Sequence, residues 1–287
     1  MCLPVLVRLW TPKATTKIVH ARQLLTLLAD HFPDRLVHVV ADAAYSSKDL
    51  RGLPARISWT TRPRRNAVFH DLGPAPTGKR GRPRQRGNRI GTLDELAATG
   101  GWTDVTVSRY GRTETISICQ RRCLWWTVFH TRPVRVILVR EPGHNGNSGY
   151  DIALVTTDLD NSTAQIVARY ASRWSIEVVF FDAKHVFGVG HARNRVELAI
   201  ARTVPFGFLC LNLVIIWYAQ TAHTPDVVSE RRHHAPWYDT KTEASTADML
   251  TWCRRVLIAE KYRPQHPHHP TPEEITAVQH AWAQAAA

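Results

Sequence analysis

The stretch NSTAQIVARYASRWSIEVVFFDAKHVFGVG, residues 161–190, decides how this chain is read. Asn161, Ser162 and Thr163 carry side chains that accept hydrogen bonds from the open N–H groups of a helix start, and Phe187-Gly188 is a stop signal. Between them Val167, Ala171, Trp174, Val178 and Phe181 recur at spacings of four and three, which predicts one amphipathic helix buried along that stripe. Tyr170, Arg173, Glu177 and Lys184 form a second set that falls, at about 100° per residue, within an arc of about 60°. They stand at the margin of the stripe and not opposite it, so a carboxylate, two cations and a phenol are half sheltered by the core. An ordinary ion pair four residues apart is common and weak. Such a pair would account for Arg173 and Glu177 and leave Tyr170 and Lys184 incidental.

The spacing Tyr-x2-Arg-x3-Glu-x6-Lys is met in full, and it resembles the Tyr-Arg-Glu-Lys signature of DDE transposases of bacterial insertion sequences, in the IS-four superfamily. The resemblance implies that Glu177 is a catalytic carboxylate and that Tyr170, Arg173 and Lys184 contact DNA near the cleaved phosphate.

Composition agrees with a nucleic-acid partner. The 287 residues carry a formal charge of +13 and a pI near 10.0. A hydrophobic content of 44% is enough for a real core. The five cysteines are scattered and odd in number, which excludes a disulfide framework and points to a reduced cytosolic compartment. Arg8 and Pro4 interrupt the N-terminal apolar run, so no signal-peptide pattern is present. The apolar run 204–219 has 16 residues and contains Pro205, Gly207 and Asn212, which favours a mostly buried core helix, bent near Pro205, over a membrane span.

Taken in order, residues 3–9 read as a strand, 16–32 as an amphipathic helix, 36–41 as a buried strand and 57–61 as another, with Ser46 or Ser47 capping a short helix between. Residues 62–89 hold nine Lys or Arg against the single acidic Asp71 and predict a basic loop, not a packed element. Strands are expected over 104–109, 114–120, 125–129, 134–139 and 152–156, and helices over 195–222, 244–261 and 272–286. In the tail, Arg231-Arg232-His233-His234 is a basic patch, and His266-Pro267-His268-His269 reads as a flexible loop.

The expected fold is α/β: a ribonuclease-H-like mixed sheet, its first strand missing, with a β-rich insertion and a helical C-terminal part. The parts run 1–61 (first catalytic part), 62–156 (basic loop and insertion), 157–222 (second catalytic part) and 223–287 (basic, helical tail). Asp42 directly follows the strand at 36–41. It can cap the next turn, or stand in the crevice beyond the carboxyl ends of a sheet. Asp42-Ala43-Ala44-Tyr45 matches the family's Asp-x-x-Tyr, which implies a second catalytic carboxylate there. The 135 residues from Asp42 to Glu177 are accounted for by the insertion.

The implied chemistry is hydrolysis at transposon ends and strand transfer by the freed 3′-hydroxyl. Asp42 and Glu177 would ligate two Mg²⁺ ions, for which Mn²⁺ can substitute. A third carboxylate is expected upstream of residue 3, so the chain reads as truncated or given a wrong start. A different class of reading is a catalytically dead remnant that only binds DNA. The expected partners are double-stranded transposon ends and target DNA, bound by a homodimer in the cytoplasm at the nucleoid, with no membrane. Lys79, Arg80, Arg82 and Arg84 flank a Gly-Arg-Pro core that can act as a minor-groove hook or as a basic loop gripping phosphates. Trp125 or Trp126 can stack on an extruded base or pack in the core, and Trp59 and Trp102 compete for that role.

Overall fold

In the run PVRVILVR, residues 133–140, neighbouring apolar side chains must be buried on opposite sides, because a strand points successive residues to opposite faces. A sheet covered on both faces satisfies that demand. The computed structural model describes residues 2–75, 81–146, 149–222, 226–261 and 270–286. It divides into two compact units, Trp10–Trp174 and Met1–Leu9 with Ser175–Ala287.

The first unit holds an eight-stranded mixed sheet. Its strands are β1 (Val37–Ala41), β2 (Ile57–Thr61), β3 (Phe69–Leu72), β4 (Arg86–Gly91), β5 (Thr103–Arg109), β6 (Arg112–Leu124), β7 (Pro133–Arg140) and β8 (Ile152–Thr156). The order is β1-β2-β8-β7-β6-β3-β4, with β5 also paired to β6. β1 and β2 are parallel and every other pairing is antiparallel. Strands from both sides of residue 62 therefore share one sheet, joined where Thr60 faces Thr156 across β2 and β8.

The two faces bury different residues. Val136 and Leu138 join Ile57, Trp59, Phe69, Trp125 and Phe129 in one core, which also takes in Ala29 of α1 (Lys17–His31) and Leu93 and Leu96 of α2 (Leu93–Thr99). Ile137 and Val139 join Val107, Ile116, Ile118 and Leu154 in the other, covered by Ile166 and Val167 of α4 (Thr163–Ala171). The strand at 125–129 is absent. Trp126–Phe129 is instead a short helix, α3, because Trp125 and Phe129 turn their rings onto each other at 6.1 Å inside the first core. The basic stretch 62–89 also departs from expectation: it contains β3 and the start of β4, and Phe69 is fully buried.

The second unit is helical: α5 (Ser175–His185), α6 (Glu197–Trp217), α7 (Asp226–His234), α8 (Thr246–Lys261) and α9 (Pro272–Ala286). Residues 2–9 form no strand here. Cys2 and Val7 pack on a core built from Val179, Ala183, Phe208, Leu211 and Val214, and the Pro4 carbonyl accepts from Asn212 Nδ2 at 2.9 Å. An extended segment without a neighbouring strand has no ladder to join, so its apolar side chains settle on helices instead.

α6 passes through Pro205 and ends in a π turn, Tyr218–Ala222. It is not mostly buried. Only 22% of its most apolar window is covered, and Phe206, Leu209 and Leu213 are exposed. Among the described residues Glu197–Thr221 is the helix long and apolar enough to cross a membrane by length and composition.

The predicted single helix over 161–190 is two helices. α4 begins at a capping box, Ser162 with Gln165, and α5 closes after His185, where Gly188 takes φ +65° and the Val189 N–H reaches the Ala183 carbonyl at 2.8 Å. Both end signals are used as read. Between the helices, Ser172–Trp174 is a 3-10 turn, and Ser172 Oγ donates to the Arg169 carbonyl at 2.7 Å.

The buried stripe does not cross that turn. Val167 and Ala171 are buried as predicted, but Trp174, Val178 and Phe181 are 56%, 46% and 61% exposed. In α5 the buried residues are Val179 and Ala183. Val179→Ala should therefore destabilise the protein by about 2 kcal/mol, while Val178→Ala should change stability by less than about 0.5 kcal/mol. Denaturant melts of the two variants check this, and the unbroken-helix pattern requires the reverse order.

Candidate catalytic and nucleic-acid site

Asp42 follows the last residue of β1 and is held there by local bonds. With φ −77° and ψ 178° it caps the 3-10 turn Ala43–Tyr45, and its Oδ1 accepts from the Ala44 N–H at 2.9 Å. Its carbonyl accepts from Thr61 Oγ1 at 2.8 Å, which ties it to the end of β2. Asp42 thus both caps the turn and stands at the carboxyl ends of two parallel strands, where open α/β sheets bind ligands. The side chain is exposed, and no hydrogen bond reaches its second oxygen among the described residues.

α4 brings the aromatic and cationic partners. Tyr170 lies on its last turn, half-buried beside the second sheet core, and accepts a hydrogen bond from the guanidinium of Arg173 on the 3-10 turn that follows. Burial pushes the Tyr170 phenol above its ordinary range. The charges of Arg173 and Arg62 oppose that rise, and the charge of Asp42 adds to it. Asp42, Arg62, Tyr170 and Arg173 therefore share one electrostatic neighbourhood.

Asp158, absent from the sequence-derived set, positions this group. Its nearly fully buried carboxylate accepts from the Asn161 N–H (3.1 Å), Asn161 Nδ2 (2.8 Å), the Asp160 N–H (3.2 Å) and Arg169 Nη1 (2.9 Å). His38 Nδ1 of β1 lies 3.4 Å away. Burial pushes the Asp158 carboxyl upward, but the bonds from Asn161, Arg169 and Asp160 outweigh it and hold the pKa at about 2. The sequence cue was the run Asp158-Leu159-Asp160-Asn161 before a helix cap, which has the form of an Asx turn.

In the second unit, Glu177 lies on the first turn of α5 and Lys184 on its last. Two turns apart, they share one side of α5. That side is roughly opposite Val179 and Ala183, so within α5 they do not stand at the margin of the buried stripe. Glu177 is half-buried and Lys184 exposed.

Of the basic-loop residues, Lys79 and Arg80 lie outside the described residues, as does the stretch 266–269. Arg82 and Arg84 are exposed, and Arg84 Nη2 donates to the Gly87 carbonyl and Asn88 Oδ1 at 3.1 and 3.0 Å. Of the four tryptophans, Trp59 and Trp125 are buried in the first core, and Trp102 packs under Arg140, 3.6 Å from guanidinium to ring. Trp126 is half-exposed, with Arg86 over its ring at 5.2 Å.

Among the described residues no three His, Cys, Asp or Glu side chains gather closely enough to hold a metal ion between them. Asp42 itself fits a hard divalent cation, since it offers an exposed carboxylate with one oxygen uncommitted. Mg²⁺ is commonly held by one or two carboxylates together with waters and substrate phosphates.

A carboxylate at the ends of parallel strands, beside a phenol and two arginines, is an arrangement suited to phosphate chemistry. The family model for the transposase DDE domain matches residues 3–213, well over half of the chain, and the protein belongs to that family. Family membership gives it a role in DNA transposition, with DNA as its partner, and transposase domains of this kind generally use divalent metal ions. No curated protein matches the chain.

The folded Asp158 pKa of about 2 lies below the ordinary carboxylate value, so its charge contributes stability above pH of about 4 that is lost as pH falls toward about 2. Asp158→Asn should cost about 2 kcal/mol at neutral pH and progressively less in acid. Urea melts of both proteins across pH 2–7 read the difference, and a pH-independent gap would contradict the assignment.

Proposed function

We propose that the chain cuts and joins DNA at transposon ends by a metal-dependent mechanism in which Asp42 and Glu177 are the metal-holding carboxylates. The proposed setting is a bacterial insertion sequence of the IS-four superfamily, with a homodimer acting on double-stranded ends in the cytoplasm. The observation that carries this reading is the placement of Asp42 at the end of parallel β1, one carboxylate oxygen uncommitted, in the electrostatic neighbourhood of Tyr170, Arg173 and Arg62.

In the cleavage step a water oxygen forms a bond to phosphorus, the bond from phosphorus to the 3′-oxygen breaks, and that oxygen leaves as a 3′-hydroxyl after taking up a proton. In strand transfer this hydroxyl attacks a target phosphodiester, whose own 3′-oxygen leaves in turn. When bound, divalent ions would supply activation of the nucleophile and stabilisation of the leaving oxygen. Asp42 and Glu177 would hold them as hard oxygen ligands. Arg173, steadied by Tyr170, presents its guanidinium to a phosphate, and Lys184 presents a point charge to the backbone.

Catalysis and binding are separable. Asp42→Asn and Glu177→Gln should each lower Mg²⁺-dependent cleavage of transposon-end DNA at least about a hundredfold while leaving affinity for that DNA in chelator unchanged. Lys184→Ala should weaken binding instead. Cleavage that survives Glu177→Gln would sink the catalytic assignment, and a protein that binds ends without metal-dependent cutting would leave only the DNA-binding reading.

The exposed cations of the basic loop are assigned to the DNA backbone. Replacing Arg82 and Arg84 together by Ala should make the slope of log affinity against log salt shallower by about two, without loss of thermal stability. An unchanged slope would show that the loop does not touch DNA.

A further inference from the structure

A cavity of about 570 Å³ opens in the first unit, lined by Arg51, Gly52, Leu53, Phe129, His130 and Arg132 among others. Among the described residues no carboxylate lines it. It lies at the amino end of β2, because Arg132 Nη2 donates to the carbonyl of Ile57, the first residue of that strand, at 3.1 Å. Asp42 stands beyond the carboxyl end of parallel β1. The cavity is therefore at the opposite end of the strands from the candidate catalytic site.

Its cations are not equivalent. Arg51 is committed: Nε donates to the Val128 carbonyl at 3.1 Å and Nη2 to the Thr127 carbonyl at 2.9 Å, closing the end of α3. Arg132 is half-buried, with the Ile57 carbonyl as its acceptor. Burial pulls its pKa down, and among the described residues no carboxylate is seen to act against that pull. A sheltered guanidinium without a counter-charge is costly unless an anion pairs with it.

His130 adds an independent feature. It holds φ 55° and ψ −117°, a conformation that glycine takes readily and a side chain resists. Its ring stacks on Trp126 at 4.0 Å, and Arg86 lies over the same indole at 5.2 Å. Strained residues of this kind gather at ligand sites, where the contacts of the bound state make use of them. The imidazole is thereby fixed at the cavity, two residues from the uncompensated Arg132.

We propose that this cavity binds a backbone phosphate of DNA, with Arg132 and His130 as the donors, as a second contact remote from Asp42. The proposal rests on DNA being the partner and not on the catalytic assignment of Asp42 and Glu177. A phosphate fits the site because it offers the anionic acceptors that Arg132 lacks, and His130 lines the same cavity.

The test uses the full chain in chelator, with a fluorescently labelled duplex read by anisotropy and thermal unfolding measured in parallel. His130→Gly removes the donor and relieves the backbone, and Arg132→Met removes the uncompensated charge while keeping the stem. His130→Gly should unfold no earlier than the parent protein, Arg132→Met, which also loses the bond to the Ile57 carbonyl, should stay folded at the assay temperature, and both should bind duplex roughly tenfold more weakly. Arg132→Met should also make the salt slope shallower by about 0.9, and Arg132→Lys should restore it. Unchanged duplex affinity in either folded variant overturns the proposal. So does a site that serves a free anion, seen as inorganic phosphate raising the unfolding temperature of the parent but not of Arg132→Met while duplex binding is untouched. Failure of Mg²⁺-dependent cleavage leaves this readout intact, so the two readings fail separately.

Discussion

The buried carboxylate of Asp158 is the interaction on which the first unit's site depends. It lies just past the end of β8, takes backbone and side-chain donors from Asp160 and Asn161, and pairs with Arg169 in α4. A buried anion costs stability unless it is paired and hydrogen-bonded, and here the pairing is complete enough to keep it charged far into acid. The consequence reaches the next residue along. With Arg169 pinned, Tyr170 is turned toward the second sheet core and into the field of Asp42 and Arg62.

The sheet that supports this arrangement changes character along its width. The parallel pair β1 and β2 provides the strand ends at which Asp42 stands, while β8, β7 and β6 continue the sheet as an antiparallel stack with both faces buried. Among the described residues β1 is paired on one side only, so Asp42 follows an edge strand. Its bond to Thr61 and the turn bonds through Ala44 stand in for the rigidity that a second neighbour would bring.

Tyr170, Arg173, Glu177 and Lys184 are divided at the turn Ser172–Trp174. Tyr170 and Arg173 belong to the sheet unit, and Glu177 and Lys184 to the helical one. The charged and apolar stripes require one uninterrupted helix, and at Ser172, whose hydroxyl bonds back to the Arg169 carbonyl, the helix is interrupted. The same local event explains why Val167 and Ala171 are buried as expected, while Val178 and Phe181 give way to Val179 and Ala183.

What the sequence by itself determined is whatever rests on short-range chemistry. The strands 57–61 and 152–156, the capping box at Ser162, the stop at Gly188 and the place of Asp42 after a strand all follow from periodicity and from side chains bonding to nearby backbone. The transposase family, expected from a resemblance of motif, is the one whose model matches residues 3–213. Tertiary structure decided the rest. Residues 2–9 are apolar enough for a strand, but they meet helices instead of a sheet edge. Residues 125–129 are rich in aromatic and β-branched side chains, as a strand would be, yet the packing of Trp125 on Phe129 goes with a helix. The role of Asp158, the strain at His130 and the uncompensated charge of Arg132 depend on which groups burial brings near. Burial and pairing are set by residues distant in sequence, and no local pattern encodes them.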